Sequence, residues 1–161
     1  MYNFRLDTSN RQMEQDQYIQ RQREIKKAWY TLTEFFLKKG HKISLKYWEA
    51  DNSHSDKGYS SHGVNFFLQS YEALSMDSHG LMILTTSITP SIQRKVLENT
   101  ADMPEKITPF FHINIVDHFG NDMYSSQDFG DNLLLLLTEH DLKLLDKKIP
   151  LSMLEKPIQS E

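Results

Sequence analysis

The chain has 161 residues, 39% of them hydrophobic, with a net charge of −4 and no cysteine. That length suits one domain around a single core, since domains usually run to about 100–150 residues. Without cysteine there is no disulfide framework, no thiolate zinc site and no cysteine nucleophile.

The opening Met1-Tyr2-Asn3-Phe4-Arg5 has no charged segment followed by an apolar run, so no secretory signal is read there. The longest apolar run, Leu133–Leu137, is far shorter than the ~20 residues that span a bilayer. The expectation is a soluble cytoplasmic protein folding as one domain over 1–161, with no membrane partner. Residues 1–17 can project from it, and 150–161 can form a loose tail.

Asp7-Thr8-Ser9-Asn10 offers several helix N-caps, and a long polar helix is predicted to follow. Tyr18, Ile25 and Leu32 lie seven apart, with Ala28/Trp29 and Phe35/Phe36 between and beyond them, which makes one apolar stripe at helical spacing. Lys38-Lys39-Gly40 supplies a basic last turn and a C′ glycine. Lys42–Glu49 alternates polar and apolar as a half-buried strand does, and 50–62 is a loop by composition. Val64–Gln69 and Leu81–Ile88 are predicted as two more strands, and Tyr71–Met76 between them has a helical turn as its alternative.

Thr89-Pro90 marks an N-cap with proline at N1, and Ile92 and Val96 share one face of a short helix. Phe111–Val116 is a strand, turned at Phe119–Asp122, with a return strand near Tyr124. Leu133–Leu137 reads in two ways. It is either a buried strand ahead of a helix capped by Thr138, or the start of one helix from Asp131 to Lys147, and periodicity does not separate them. The fold class is therefore α+β: a mainly antiparallel sheet of four to five strands, the long N-terminal helix, and one or two further helices packed on it.

No Gly-x-Gly-x-x-Gly, Gly-Lys-Ser/Thr or Gly-x-Ser-x-Gly occurs, so three nucleotide and hydrolase motifs are absent and no cofactor is indicated. His112 and His118 are six apart, and a straight strand would separate their rings by roughly 20 Å, too far to share a metal. His54, Asp56 and His62 in the Ser-rich loop form an acid–base candidate, with loop polarity as the simpler explanation.

Charge is the most uneven property. Residues 1–39 hold eight Lys/Arg and five Asp/Glu (+3), and 40–161 hold ten and seventeen (−7). Between Lys106 and Lys143 there is no Lys or Arg, but there are Asp117, Asp122, Asp128, Asp131, Glu139 and Asp141. A nucleic-acid binder shows the opposite bias. The expected function is a small interaction protein that masks a basic protein partner through this acidic half, with Phe129 as an aromatic anchor. An immunity protein that neutralises a toxin shares its size, acidity and lack of catalytic motif. The alternatives are a client-binding secretion chaperone and a His/Asp hydrolase or metal enzyme, and the N-terminal helix is a candidate homodimer contact.

Overall fold

A computed structural model describes residues 1–9, 14–49, 62–99 and 106–156. The strands are β1 Tyr2–Leu6, β2 Lys42–Trp48, β3 Ala73–Met76, β4 Leu81–Ser87, β5 His112–Val116, β6 Asp122–Gln127, β7 Asn132–Leu137 and β8 Leu154–Glu155. They form one antiparallel sheet in the order β3-β4-β2-β5-β6-β7-β1-β8. Among the described residues three helices accompany it: α1 Gln15–Lys39, α2 Pro90–Glu98 and α3 Glu139–Leu145. The α+β class and the long first helix are as expected, but the sheet has eight strands, not four to five.

The core lies between α1 and one face of the sheet. Alternation turns Phe4, Leu6, Ile43, Leu45, Tyr47, Leu84, Ile113, Ile115, Tyr124, Leu133, Leu135 and Leu137 to that face, all buried. From α1 come Ile25, Ala28, Trp29, Leu32, Phe36 and Leu37 at helical spacing. The predicted stripe is right from Ile25 onward, whereas Tyr18 stays exposed.

Polar bonds fix α1 on β6. Trp29 Nε1–H donates to Ser126 Oγ at 2.9 Å. The Thr33 hydroxyl, 2.7 Å from the Trp29 carbonyl, gives its proton there, so at 2.6 Å it accepts from the Tyr124 hydroxyl. Buried polar groups are thus paired across the layer.

Four local expectations are corrected. Asp7 does not cap α1; after β1 its carboxylate accepts from the Ser9 N–H and pairs with Arg21 at 2.8 Å, and the helix starts at Gln15. Residues 64–69 are not a strand: His62–Phe66 is a 3-10 turn, and Val64 and Phe67 are buried because three residues make one turn. Tyr71–Met76 is not helical, since β3 begins at Ala73. Gly40 is the C-cap of α1 in an extended conformation (φ −77°), not a left-handed C′ residue. Glycine is needed there for room, because a Cβ would collide with Ile115 Cγ2 and come within 3.0 Å of the Phe36 carbonyl.

The Leu133–Leu137 ambiguity resolves as a strand followed by a capped helix. Thr138 Oγ1 accepts from the Asp141 N–H, and Asp141 Oδ2 accepts from the Thr138 N–H, forming a capping box. The tail packs back as far as β8, which pairs with β1. Among the described residues no helix is long and apolar enough to cross a membrane.

Candidate functional site

Among the described residues no helix lies over the centre of the other face of the sheet, where Leu134 is exposed and a groove opens. Register places Ile83, Lys46, His112, Gln127 and Asn132 in one cross-strand row of that face, and Thr85, Ser44, Asn114, Ser125 and Leu134 in the next. A groove of about 530 Å³ runs over β5, β6 and β7, lined by His112, Asn114, Ser125, Gln127, Leu134 and Leu136, with Lys46 and Asp122 at its sides.

Asp122 reaches this face through a bulge. Tyr124 stands opposite Ile115 but Asp122 stands opposite Val116, so Met123 is the extra residue. Strict alternation from Tyr124 and Ser126 would turn Asp122 toward the core; the bulge re-aims it. Its Oδ1 then accepts from Asn114 Nδ2 at 3.1 Å.

That one bond orders the groove. It fixes the Asn114 amide, so Asn114 Oδ1 faces His112 Nε2 at 2.9 Å, and an acceptor there requires the proton on Nε2. Ser125 Oγ is 3.3 Å from the same nitrogen and receives Gln127 Nε2–H at 3.1 Å. Asn132 Nδ2 reaches Gln127 Oε1 at 3.5 Å. A nitrogen whose proton is given to Asn114 Oδ1 has no lone pair free to take the Ser125 proton, so this is not the base–nucleophile arrangement of a serine hydrolase. The groove presents the Lys46 ammonium and the Ser125 hydroxyl beside Leu134 and Leu136.

Burial pushes the His112 imidazole below its ordinary value and Lys46 pushes the same way, while the Asn114 bond, Asp128 and Asp122 pull it up. The net direction is down, so the ring is neutral at neutral pH. The unfolded chain then binds more protons than the folded one between the two values, and stability falls as pH drops below about 6.5. His112→Gln is expected to flatten that slope, measured as unfolding free energy in urea at a series of pH values. Parallel curves for the two proteins would contradict it.

The acidic positions do not form one surface. The β5–β6 turn and the β7–α3 junction lie at one end of the sheet, and the β6–β7 connection lies at the other. The six residues of β6 stand between them, a length of about 17–20 Å. Asp117, Asp122 and Glu139 are at the first end. The Asp117 carboxylate holds its own turn, accepting from the Phe119 and Asn121 N–H groups and from Asn121 Nδ2, which draws it below the usual range. Glu139 is exposed and accepts from the Tyr2 hydroxyl at 3.3 Å.

Asp128 and Asp131 are exposed at the second end, where burial and the neighbouring Asp128 push Asp131 upward. Asp128, Phe129 and Gly130 are successive left-handed residues, with φ of 51°, 57° and 96°. That coil turns Phe129 inward.

Two of the predicted binding residues are buried. Phe129 is only 6% exposed, packed edge-on to Phe111 with Lys106 Nζ 3.5 Å above its ring. Asp141 is 3% exposed, held by the capping box and by Lys39 Nζ at 2.6 Å.

Of the histidines, His118 lies in the β5–β6 turn stacked on His41 with ring centroids 4.3 Å apart, away from the groove row that holds His112. His54 and Asp56 lie outside the described residues, as does the His62 side chain. Among the described residues no group of three or more His, Asp or Glu is placed to hold a metal ion.

Lys46, Asn114, Ser125 and Gln127 were not singled out in the sequence. The signal was there in the two-residue spacing of His112/Asn114 and Ser125/Gln127, which puts each pair on the face opposite the core. Compared with family models, with curated proteins and with solved structures, the chain matches none.

Proposed function

We propose that this chain is a protein-binding module that masks a basic partner, in the manner of an immunity protein, and that the partner seats on the helix-free face of the sheet. One observation carries the reading: the groove runs along β6 with the Asp122 carboxylate at one end of that strand and Asp128 directly after the other. Charges at the two ends steer and register a basic segment, and the half-buried polar side chains between them supply hydrogen bonds without reorganisation. Asp117 and Asp141 are excluded from the docking set because the fold uses their carboxylates.

The test is capture of a partner from the native host, followed by titration of the purified pair. Affinity should fall as salt rises. The triple change Asp122→Asn, Asp128→Asn and Asp131→Asn should weaken it roughly tenfold or more, at least about 1.4 kcal/mol. Asparagine tolerates the positive φ at 128. Salt-independent binding, or an affinity unchanged by the triple variant, would reject the reading.

A further inference from the structure

We infer that β3 is a self-pairing edge, through which two copies of this chain join their sheets into one continuous antiparallel sheet. The two ends of the sheet differ. At one end β8 has two residues and closes with Glu155 and Lys156, a short charged edge of the kind that resists pairing. At the other end β3, Ala73-Leu74-Ser75-Met76, has four exposed residues with no charge and no proline.

The flanking carboxylates do not guard it. The Glu72 carboxylate is exposed but engaged by the Ser87 N–H at 2.9 Å and Lys42 Nζ at 3.2 Å, and Asp77 accepts from the His79 and Leu81 N–H groups inside its own turn. Exposed apolar side chains lie on and just before this edge strand: Tyr71, Leu74 and Met76 are 41%, 40% and 57% exposed. Such a cluster is uncommon on a surface that meets only water.

The register selects the occupant. The Asp77 N–H donates to the Leu81 carbonyl at 3.0 Å, and Gly80 (φ 87°) closes the hairpin, so 77 and 81 are a bonded pair. Alternation then aims the backbone of Ala73 and Ser75 at β4 and leaves the N–H and C=O groups of Leu74 and Met76 facing outward. Antiparallel strands related by a two-fold axis keep the same face of the sheet on both sides, so the numbers of opposed residues must share parity. Leu74 opposite Met76 of the second copy, with Ser75 opposite Ser75, meets that condition. It pairs the outward backbone groups in four hydrogen bonds. It also brings both Leu74 and both Met76 side chains together on the core-facing side, where β3 lies against Leu84 and Met82. The order apolar–small–apolar reads the same in both directions, which suits an isologous contact.

The experiment is sedimentation equilibrium of the full chain over a range of concentrations, with amide hydrogen exchange on the same samples. The wild-type chain should dimerise, and Met76→Lys should raise the dimer dissociation constant roughly tenfold or more while circular dichroism stays unchanged. Tyr18→Lys on α1 should leave it unaltered. Exchange at the Leu74 and Met76 amides of the wild-type chain should slow as concentration rises, a readout that does not depend on any variant folding. A wild-type monomer at every concentration would overturn the inference. So would a dimer broken by Tyr18→Lys but not by Met76→Lys, or Leu74 and Met76 amides whose exchange ignores concentration.

Discussion

Phe36→Ala is expected to lower the unfolding free energy by about 3–5 kcal/mol, with Phe35→Ala costing about half as much or less. The two rings are neighbours in sequence and meet edge-on at 5.4 Å, but only Phe36 is fully buried; Phe35 packs against the rim of the core. Phe36 also lies 5.5 Å from the Tyr124 ring. Collapse into the vacated space is blocked, because the Tyr124 hydroxyl is tied to Thr33 and Trp29 is tied to Ser126. A cavity that cannot relax costs both the lost transfer energy and the lost contacts. Urea denaturation with an unchanged m-value is the measurement. Equal losses for the two variants would mean that the phase of α1 on the sheet is not the one described.

That phase could be read from the sequence, and so could several elements whose signal is local. The α1 stripe from Ile25, the alternation in β2 and β5, and the Thr89 and Thr138 caps depend on residues within one or two turns of each other. Elements defined by distant partners gave less away. β3 has no buried side chain and exists because β4 offers it a ladder. β8 is two residues long. In β1 the alternation of Tyr2, Phe4 and Leu6 was present, but it stood before a strong helix pattern and read as a lead-in to it. Val64 and Phe67 looked like strand residues because one buried pair cannot distinguish a period of two from a period of three.

The candidate site shows the same division more sharply. Six acidic positions from 117 to 141 looked like one surface because they are close along the chain. An antiparallel sheet reverses direction at each turn, so neighbours in sequence are sent alternately to opposite ends. A bulge at Met123, with no sequence signature of its own, decides that Asp122 faces the groove. The capping box could be read at Thr138 and Asp141. What could not be read was Lys39 arriving from 102 residues away to bury the Asp141 carboxylate.

Asp141→Ala is therefore expected to destabilise the fold by about 2–3 kcal/mol, which combines the loss of a helix cap with the loss of a hydrogen bond to a charged partner. The upper end of the range for a broken buried pair is not reached, because Lys39 is 36% exposed and can return to water. Asp141→Asn keeps an acceptor for the Thr138 N–H and loses only the charge, so it should cost about half as much. The pH dependence separates this role from a docking role. Burial opposes ionisation of Asp141, but the Lys39 bond and the two Thr138 bonds outweigh it and hold the carboxyl below its ordinary value of 3.8. The folded chain therefore binds fewer protons here than the unfolded chain. The stabilisation is fully present above pH 3.8 and is lost as pH falls through the lower, folded value. The gap between wild type and Asp141→Ala should close in acid, and Lys39→Met should shrink the cost of Asp141→Ala in a double-mutant cycle. A variant as stable as wild type at neutral pH, yet weaker in partner capture, would return Asp141 to the docking surface. The proposed boundary between carboxylates that fold the chain and carboxylates that face a partner would then move.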